Sequence, residues 1–233
     1  MFQFKQFRIT QSHAAFKLGT DAVLLGAWAE VESYKHILDI GTGTGILALI
    51  CAQKNSTAAI TAIEPDPLSA NDALNNFYNS PWSHRISLIQ QRVQDFQPDN
   101  NLKFDCIISN PPYFEGQKKS ATQRKNDARH TDGLPLVELA LGISSLLHKD
   151  GDAYIVLPIE EGRLLMQLMA IRGLQCIARC LVSAKPNQVP IRMLCKYRQT
   201  IHYNPKESLL SIYDHSGEHY SNDYAQLTKP FYL

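Results

Sequence analysis

The chain carries almost no net charge. Its 23 lysines and arginines stand against 22 aspartates and glutamates, leaving +1 at pH 7. Such a balance gives no global field to attract a polyanion, so a nucleic-acid partner has to be held by a local patch. CxxC pairs are absent. The five cysteines, Cys51, Cys106, Cys176, Cys180 and Cys195, are odd in number, and Cys51 and Cys106 stand among apolar residues. This pattern reads as reduced, buried thiols of a cytosolic protein, not as a disulfide framework. Cys176 and Cys180 share a segment, but no histidine pair follows at ligand spacing, so no zinc or other metal is expected. The opening MFQFKQFRITQ alternates apolar and polar residues and lacks the apolar core of a signal peptide. No apolar run approaches the length that spans a bilayer, and neither an internal repeat nor a low-complexity tract occurs. What remains is an ordinary globular composition, 233 residues of which 44% are hydrophobic, enough for one large domain.

Apolar runs alternate with amphipathic stretches. HILDIG (36–41), AAITAIE (58–64), RISLIQQ (85–91), FDCIIS (104–109) and DAYIVLP (152–158) read as buried strands. ILALICAQ (46–53), PLSANDALNNFYN (67–79), LPLVELALGISSLLH (134–148) and EEGRLLMQLMAIR (160–172) read as helices, the second opened by an Asp66 cap and Pro67 in the first turn. Gly142 is a blemish in the third. LQCIARCLVSA and PIRMLCKYRQT form a strand pair with no helix between them, hence antiparallel. The expected fold is α/β, a mainly parallel twisted sheet with an antiparallel C-terminal strand and helices on both faces. In such sheets ligands bind outside the carboxyl ends of the strands.

Two unusual loops lie at that edge. The first, in LDIGTGTGILAL, joins the first strand to the first helix. Gly41, Gly43 and Gly45 let the backbone approach a ligand, and Glu64 ends the next strand about 20 residues on, where an acidic residue commonly binds ribose hydroxyls. A tight turn alone would also use glycines. The dinucleotide fingerprint would need a small residue where Ile46 stands, which disfavours an NAD dehydrogenase, and no lysine follows to make a P-loop. Asp39 would repel a pyrophosphate and suits a cationic or amine-bearing ligand. S-adenosylmethionine offers an ammonium, a sulfonium, a ribose and an adenine. Asp39 could face its amino-acid end, Glu64 its ribose, and Asp95 and Phe96 of QDF its adenine amine and ring.

The second loop is Asn110-Pro111-Pro112-Tyr113, directly after FDCIIS. Asn-Pro after a strand is ordinarily a turn. Together with DIGTGTG, the acidic end of the second strand and QDF, however, it resembles the class I, Rossmann-like S-adenosylmethionine-dependent methyltransferases over about residues 17–202, and in particular those that act on planar amino groups. The chemistry explains the motif. An exocyclic amine is a poor nucleophile because its lone pair is spread into the ring. The Asn110 side-chain carbonyl and the Pro111 backbone carbonyl can accept its two N–H bonds and aim the lone pair, the two prolines stiffen the acceptors, and Tyr113 can stack on the ring. Asn110 therefore borders both substrate and cofactor. The resemblance also implies that Gly19, Thr20 and Asp21 line the cofactor pocket. From the residues alone, Thr20-Asp21 reads as the cap of a helix over Ala22–Trp28.

The polar stretch 114–133 follows at once and carries Lys118, Lys119, Arg124, Lys125 and Arg129. Such a loop is either a solvated segment or a phosphate clamp. Phe2, Phe4, Lys5, Phe7 and Arg8 read either as a basic-aromatic strand near the site or as core. The segment FKLGTDAVLLGAW, the short arm before it, SNPPYF, the basic loop and the closing YAQLTKPFYL are together similar to the tRNA1(Val) (adenine(37)-N6)-methyltransferase family over nearly the whole chain. The resemblance implies a tRNA partner, a cytoplasmic location, S-adenosylmethionine as co-substrate and Asn110–Tyr113 at the base. It also implies a single methyltransferase domain: an arm and cofactor-covering helix over 1–35, a Rossmann-like core over 36–202 and a C-terminal extension over 203–233. No obligate protein partner is evident. The rival substrates are other planar amines: rRNA guanine N2 or adenine N6, and protein glutamine N5.

Overall fold

The structure, a computed structural model, describes residues 1–12, 19–112, 134–201 and 204–233. Eight strands form one sheet. They are β3 (His36–Ile40), β4 (Ala59–Ile63), β5 (Ile86–Ile89), β6 (Phe104–Ser109), β7 (Leu147–Pro158), β8 (Leu174–Ser183), β9 (Arg192–Gln199) and β10 (Lys206–Ser211), in the order β10-β8-β9-β7-β6-β3-β4-β5. All neighbours are parallel except β9, which runs antiparallel to both β7 and β8. The expected α/β sheet is therefore present, and its reversed strand is β9.

Helices α1 (Thr20–Trp28), α2 (Ile46–Lys54), α3 (Pro67–Tyr78), α4 (Leu136–Leu146) and α5 (Ile159–Ala170) cover the sheet. Strand side chains alternate between faces. Ile37, Cys106, Ile108, Tyr154 and Val156 meet α1 and α2 in one core cluster. Leu38, Ile40, Ile107, Ala153 and Ile155 meet α4 and α5 in the other. Because both faces are covered, the central strands are near-continuous apolar runs, which is why they were visible in the sequence.

Asp66 does cap α3, accepting from Ser69 N–H at 2.8 Å with Pro67 in the first turn. The α1 cap differs from expectation. Gly19 occupies the cap position without a side-chain bond, the helix already includes Thr20, and Asp21 instead accepts from Arg192 Nε at 2.7 Å. The pair is half-buried, and the reach of a guanidinium across 171 residues replaces a local cap. Helix α4 also ends two residues early. Strand β7 starts at Leu147, bulges through Lys149–Gly151, and regains register where Asp152 lies opposite Cys106.

Two segments carry elements that the sequence reading had not resolved. In the arm, β1 (Phe2–Gln3) and β2 (Arg8–Ile9) form a small hairpin. Phe4 and Phe7 are buried in the first cluster, so for these two the core reading holds, while Phe2, Lys5 and Arg8 stay exposed. At the other end, β10 extends the sheet beside β8, and α6 (Asn222–Thr228) follows, capped by Ser221 accepting from Tyr224 N–H at 3.1 Å. Tyr224 and Phe231 are buried against the same cluster as α1.

Candidate active site

Strands β3 and β6 lie side by side, with β4 and β5 on one flank and β7 on the other. The strand order reverses between them, and this is the place where open α/β sheets leave a crevice at their carboxyl ends. Both unusual loops leave from it. The Ser109 hydroxyl, the last residue of β6, donates to the Ile40 carbonyl, the last of β3, at 2.7 Å and ties the two loop origins together.

The glycine loop is built by positive backbone angles, φ 69° at Gly41, 56° at Gly43 and 86° at Gly45. The three serve different ends. A Cβ on Gly45 would strike the Phe77 ring, so this glycine packs the loop against α3. Among the described residues nothing lies within 4 Å of a Cβ placed on Gly41 or Gly43, so these two face open space. Gly41 N–H and Thr42 N–H both bond the Ile63 carbonyl, at 2.9 and 3.0 Å.

Asp39 is fully buried beneath this loop. Its Oδ2 accepts from the Thr42 hydroxyl at 2.5 Å and from Ala48 N–H, in the first turn of α2, at 3.1 Å. Its Oδ1 is buried with no hydrogen-bond partner among the described residues. Burial pushes the Asp39 carboxyl up to about 7, against the lowering effect of the Thr42 and Ala48 bonds. Glu64, also buried, accepts from Gly43 N–H at 2.9 Å and from Asp66 N–H at 3.0 Å, so it braces the loop whose ligand it was expected to touch. Burial raises its pKa as well, opposed by those two bonds.

On the second loop, Asn110 is half-buried, and its Oδ1 is a buried acceptor without a partner among the described residues. Pro111 behind it is buried and Pro112 half-buried. An orphaned buried acceptor costs about 1–3 kcal/mol, and Asp39 Oδ1 and Asn110 Oδ1 stand at the ends of two adjacent strands. Tyr113, Lys118, Lys119, Arg124, Lys125 and Arg129 lie outside the described residues.

The remaining candidates spread along the same edge. Asp95 is exposed in the segment after β5. Phe96 is turned inward, its ring 6.2 Å from that of Phe104 in the second core cluster. Gly19, Thr20 and Asp21 open α1 next to Arg192, which pairs with Pro158 at the carboxyl end of β7. Two supports escaped sequence reading. Asn76 on α3 donates to the carbonyls of Thr44 and Thr10, each at 2.9 Å, and accepts from Thr10 N–H at 2.8 Å, so it fastens the arm to the glycine loop. Gly142, the blemish in α4, lets the helix pass Val93, whose Cγ2 would lie 2.5 Å from an added Cβ. Its signal was in the sequence, a glycine where helices disfavour one, but its partner was not.

The residues present fit S-adenosylmethionine on their own geometry: an unpartnered buried carboxylate oxygen on Asp39, open glycines in front of it, and a second carboxylate, Glu64, at the end of the neighbouring strand. Fold and site together define a Rossmann-like methyltransferase dependent on S-adenosylmethionine. The methyltransferase small domain family matches residues 8–128, and the chain belongs to it. More narrowly, it belongs to the family of tRNA1(Val) (adenine(37)-N6)-methyltransferases. It is 41% identical to the one from Bacteroides fragilis over 100% of this chain and 97% of that protein, and 40% identical to the one from Pseudoalteromonas translucida over 100% and 98%. Among solved structures, a predicted O-methyltransferase from Agrobacterium tumefaciens superposes with a TM-score of 0.68 at 17% identity, covering 91% of this chain and 96% of that one. A putative RNA methyltransferase from Pyrococcus horikoshii superposes at 0.57 and 15% identity, covering 85% and 95%. At these identities the structures testify to the fold alone.

Proposed function

We propose that the protein methylates N6 of an adenosine in tRNA, A37 beside the anticodon of tRNA1(Val), in the cytoplasm. The observation that carries the chemistry is the buried, unpartnered Asn110 Oδ1 at the crevice beside the glycine loop. The choice of nucleotide rests on the relatives' names. S-adenosylmethionine, when bound, supplies an electrophilic methyl group. Asn110 Oδ1 accepts one N–H of the adenine amine and the Pro111 carbonyl the other. Holding both bonds directs the nitrogen lone pair away from the ring, and the stiff proline pair keeps the acceptors in place before the base arrives. No formal charge is required of Asn110, since a carbonyl dipole stabilises the developing ammonium, and the surplus proton leaves after transfer. Asp39 and Glu64 serve the cofactor's amino-acid and ribose ends, with Gly41 and Gly43 allowing close approach. Asp95 borders its adenine, with the Phe96 ring in the core behind it, and Gly19, Thr20 and Asp21 close the pocket. Lys118, Lys119, Arg124, Lys125 and Arg129 contact RNA phosphates. An adenosine in a loop is unpaired, which keeps its extrusion into the crevice cheap.

Asn110→Ala is expected to keep the fold, with a melting temperature no lower because a buried unpaired acceptor is removed, and to lower turnover on tRNA by roughly 10²–10³-fold, the cost of removing one preorganised polar group at a transition state. Digested product of the unaltered enzyme should contain N6-methyladenosine, and a tRNA with an unsubstituted purine at the target should accept no methyl. Methylation of that purine-bearing tRNA at the same nucleotide would overturn the mechanism. Label appearing on rRNA or on protein glutamine, and not on tRNA, would overturn the substrate.

A further inference from the structure

A cleft of about 760 Å³ lies between the N-terminal arm on one wall and α6 with the residues after it on the other, and shares Gly19 and Thr20 with the proposed cofactor pocket. Its size is that of a ligand site, roughly 300–1,000 Å³. Its walls include Phe2, Lys5, Tyr220, Asn222, Lys229 and Tyr232. No acidic side chain occurs among the described residues that line it.

Its aromatic groups are exposed and held rigidly. Phe2 is 38% exposed, yet its ring is backed by Phe4 at 4.7 Å and Tyr232 at 6.1 Å. On the opposite wall Tyr220 is 49% exposed and sits in a ladder of three rings, 5.5 Å from Tyr213 and 4.8 Å from the buried Tyr224. Lys5 is likewise placed, its Nζ donating to the Lys229 carbonyl at 2.6 Å with two further N–H donors left. Exposed rings backed by other rings, two lysines and amide side chains are the composition by which proteins hold single-stranded nucleic acid: bases stack on the rings and phosphates meet the cations.

The cleft also approaches the catalytic edge at Thr20. Thr20 adjoins Asp21, whose partner Arg192 pairs with the last residue of β7. Strand β6, which leads into the Asn110 loop, is two strands from the β9 that carries Arg192, about 10 Å at ordinary strand spacing. We infer that this cleft is a second RNA-contact site that takes unpaired nucleotides flanking the target adenosine of the tRNA, with bases against Phe2 and Tyr220 and phosphates on Lys5 and Lys229. The inference rests on the tRNA reading above.

The test is steady-state methylation of full-length tRNA by unaltered protein, Tyr220→Ala and Lys229→Ala, with S-adenosylmethionine affinity and melting temperature measured alongside. Tyr220→Ala is expected to raise the KM for tRNA about tenfold, the loss of one stacked base. Lys229→Ala is expected to flatten the dependence of log affinity on log salt by about 0.7–0.9, one phosphate contact. S-adenosylmethionine affinity should stay the same in both. Since Tyr220 also packs on Tyr224, unaltered protein is additionally photo-crosslinked to tRNA carrying 4-thiouridine. Crosslinks in the peptides bearing Phe2 or Tyr220–Tyr232 support the cleft, and crosslinks confined to other peptides overturn it. If unaltered protein methylates tRNA while both variants keep its KM and salt slope, the cleft alone is refuted. If unaltered protein labels no tRNA, the substrate reading falls and the cleft's assignment with it.

Discussion

In its proposed role at the cofactor's amino-acid end, Asp39 would serve function at the expense of stability. In the folded chain its carboxyl titrates near 7, raised by burial, while in the unfolded chain it titrates at about 3.9. Between those values the unfolded state binds fewer protons, so folded stability falls as pH rises from about 4 to about 7 and then levels off. Asp39→Asn removes the titration but keeps an acceptor for Thr42 and Ala48. The ligand-free variant is therefore expected to lose less stability than the unaltered protein between pH 5 and pH 8, by an amount on the order of a few kcal/mol. Its affinity for S-adenosylmethionine should fall at pH 8, where the unaltered carboxylate is charged. Denaturant melts at the two pH values and calorimetric titration at pH 8 measure both. Equal pH dependence in the two proteins would mean that Asp39 does not titrate in this range.

At the scale of elements, the site is a set of loops held by distant partners. Asn76 on α3 is buried and supplies three bonds that join Thr10 of the arm to Thr44 of the glycine loop. Asn76→Ala strands these backbone groups with no replacement. Each unpaired buried group costs about 1–3 kcal/mol, and for a chain of this size each kcal/mol lowers the melting temperature by about 2–4 °C. The variant is expected to melt lower and to bind S-adenosylmethionine more weakly, because the glycine loop loses a brace. A lower melting temperature with unaltered affinity would show that the arm is not coupled to the cofactor loop. The contrast with Asp66 is instructive. Its cap on α3 spans three residues and was legible in Asp66-Pro67, whereas the Asn76 bridge spans 66 residues and leaves no local pattern. The same distinction explains the error at α1. Thr20-Asp21 has the composition of a local cap, but the stronger charge-assisted bond to Arg192, 171 residues away, takes the carboxylate.

For the whole molecule, the ends of the chain are structural. Leu210, Ile212, Tyr224 and Phe231 are all buried in the cluster that α1 and α2 share. Burial of four such side chains contributes roughly 6–12 kcal/mol as an upper estimate, comparable to the entire stability of a typical domain, about 5–15 kcal/mol. A chain cut after residue 202 also leaves β8 as an open edge. It is expected to be insoluble or to unfold without a cooperative thermal transition. A truncated chain that melts like the full one would show that β10 and α6 are dispensable for folding.

The sequence by itself determined the alternation of buried strands and helices, the glycine loop, the Asn110 loop and their common edge. Each of these is written in residues adjacent along the chain: apolar runs wherever a strand is covered on both faces, glycine wherever φ must be positive, proline wherever a loop is stiffened. Only the tertiary structure decided the rest. It separated Gly45, which packs on Phe77, from Gly41 and Gly43, which face open space. It turned Phe96 into the core, found Val93 behind Gly142, and set the arm and the last helix around a cleft at the start of α1. β10 is exposed from Lys206 to Leu209 and buries only Leu210, a pattern that no strand period reveals. An edge strand buries little of itself, so its place is set by the backbone bonds that β8 offers and not by its own side chains.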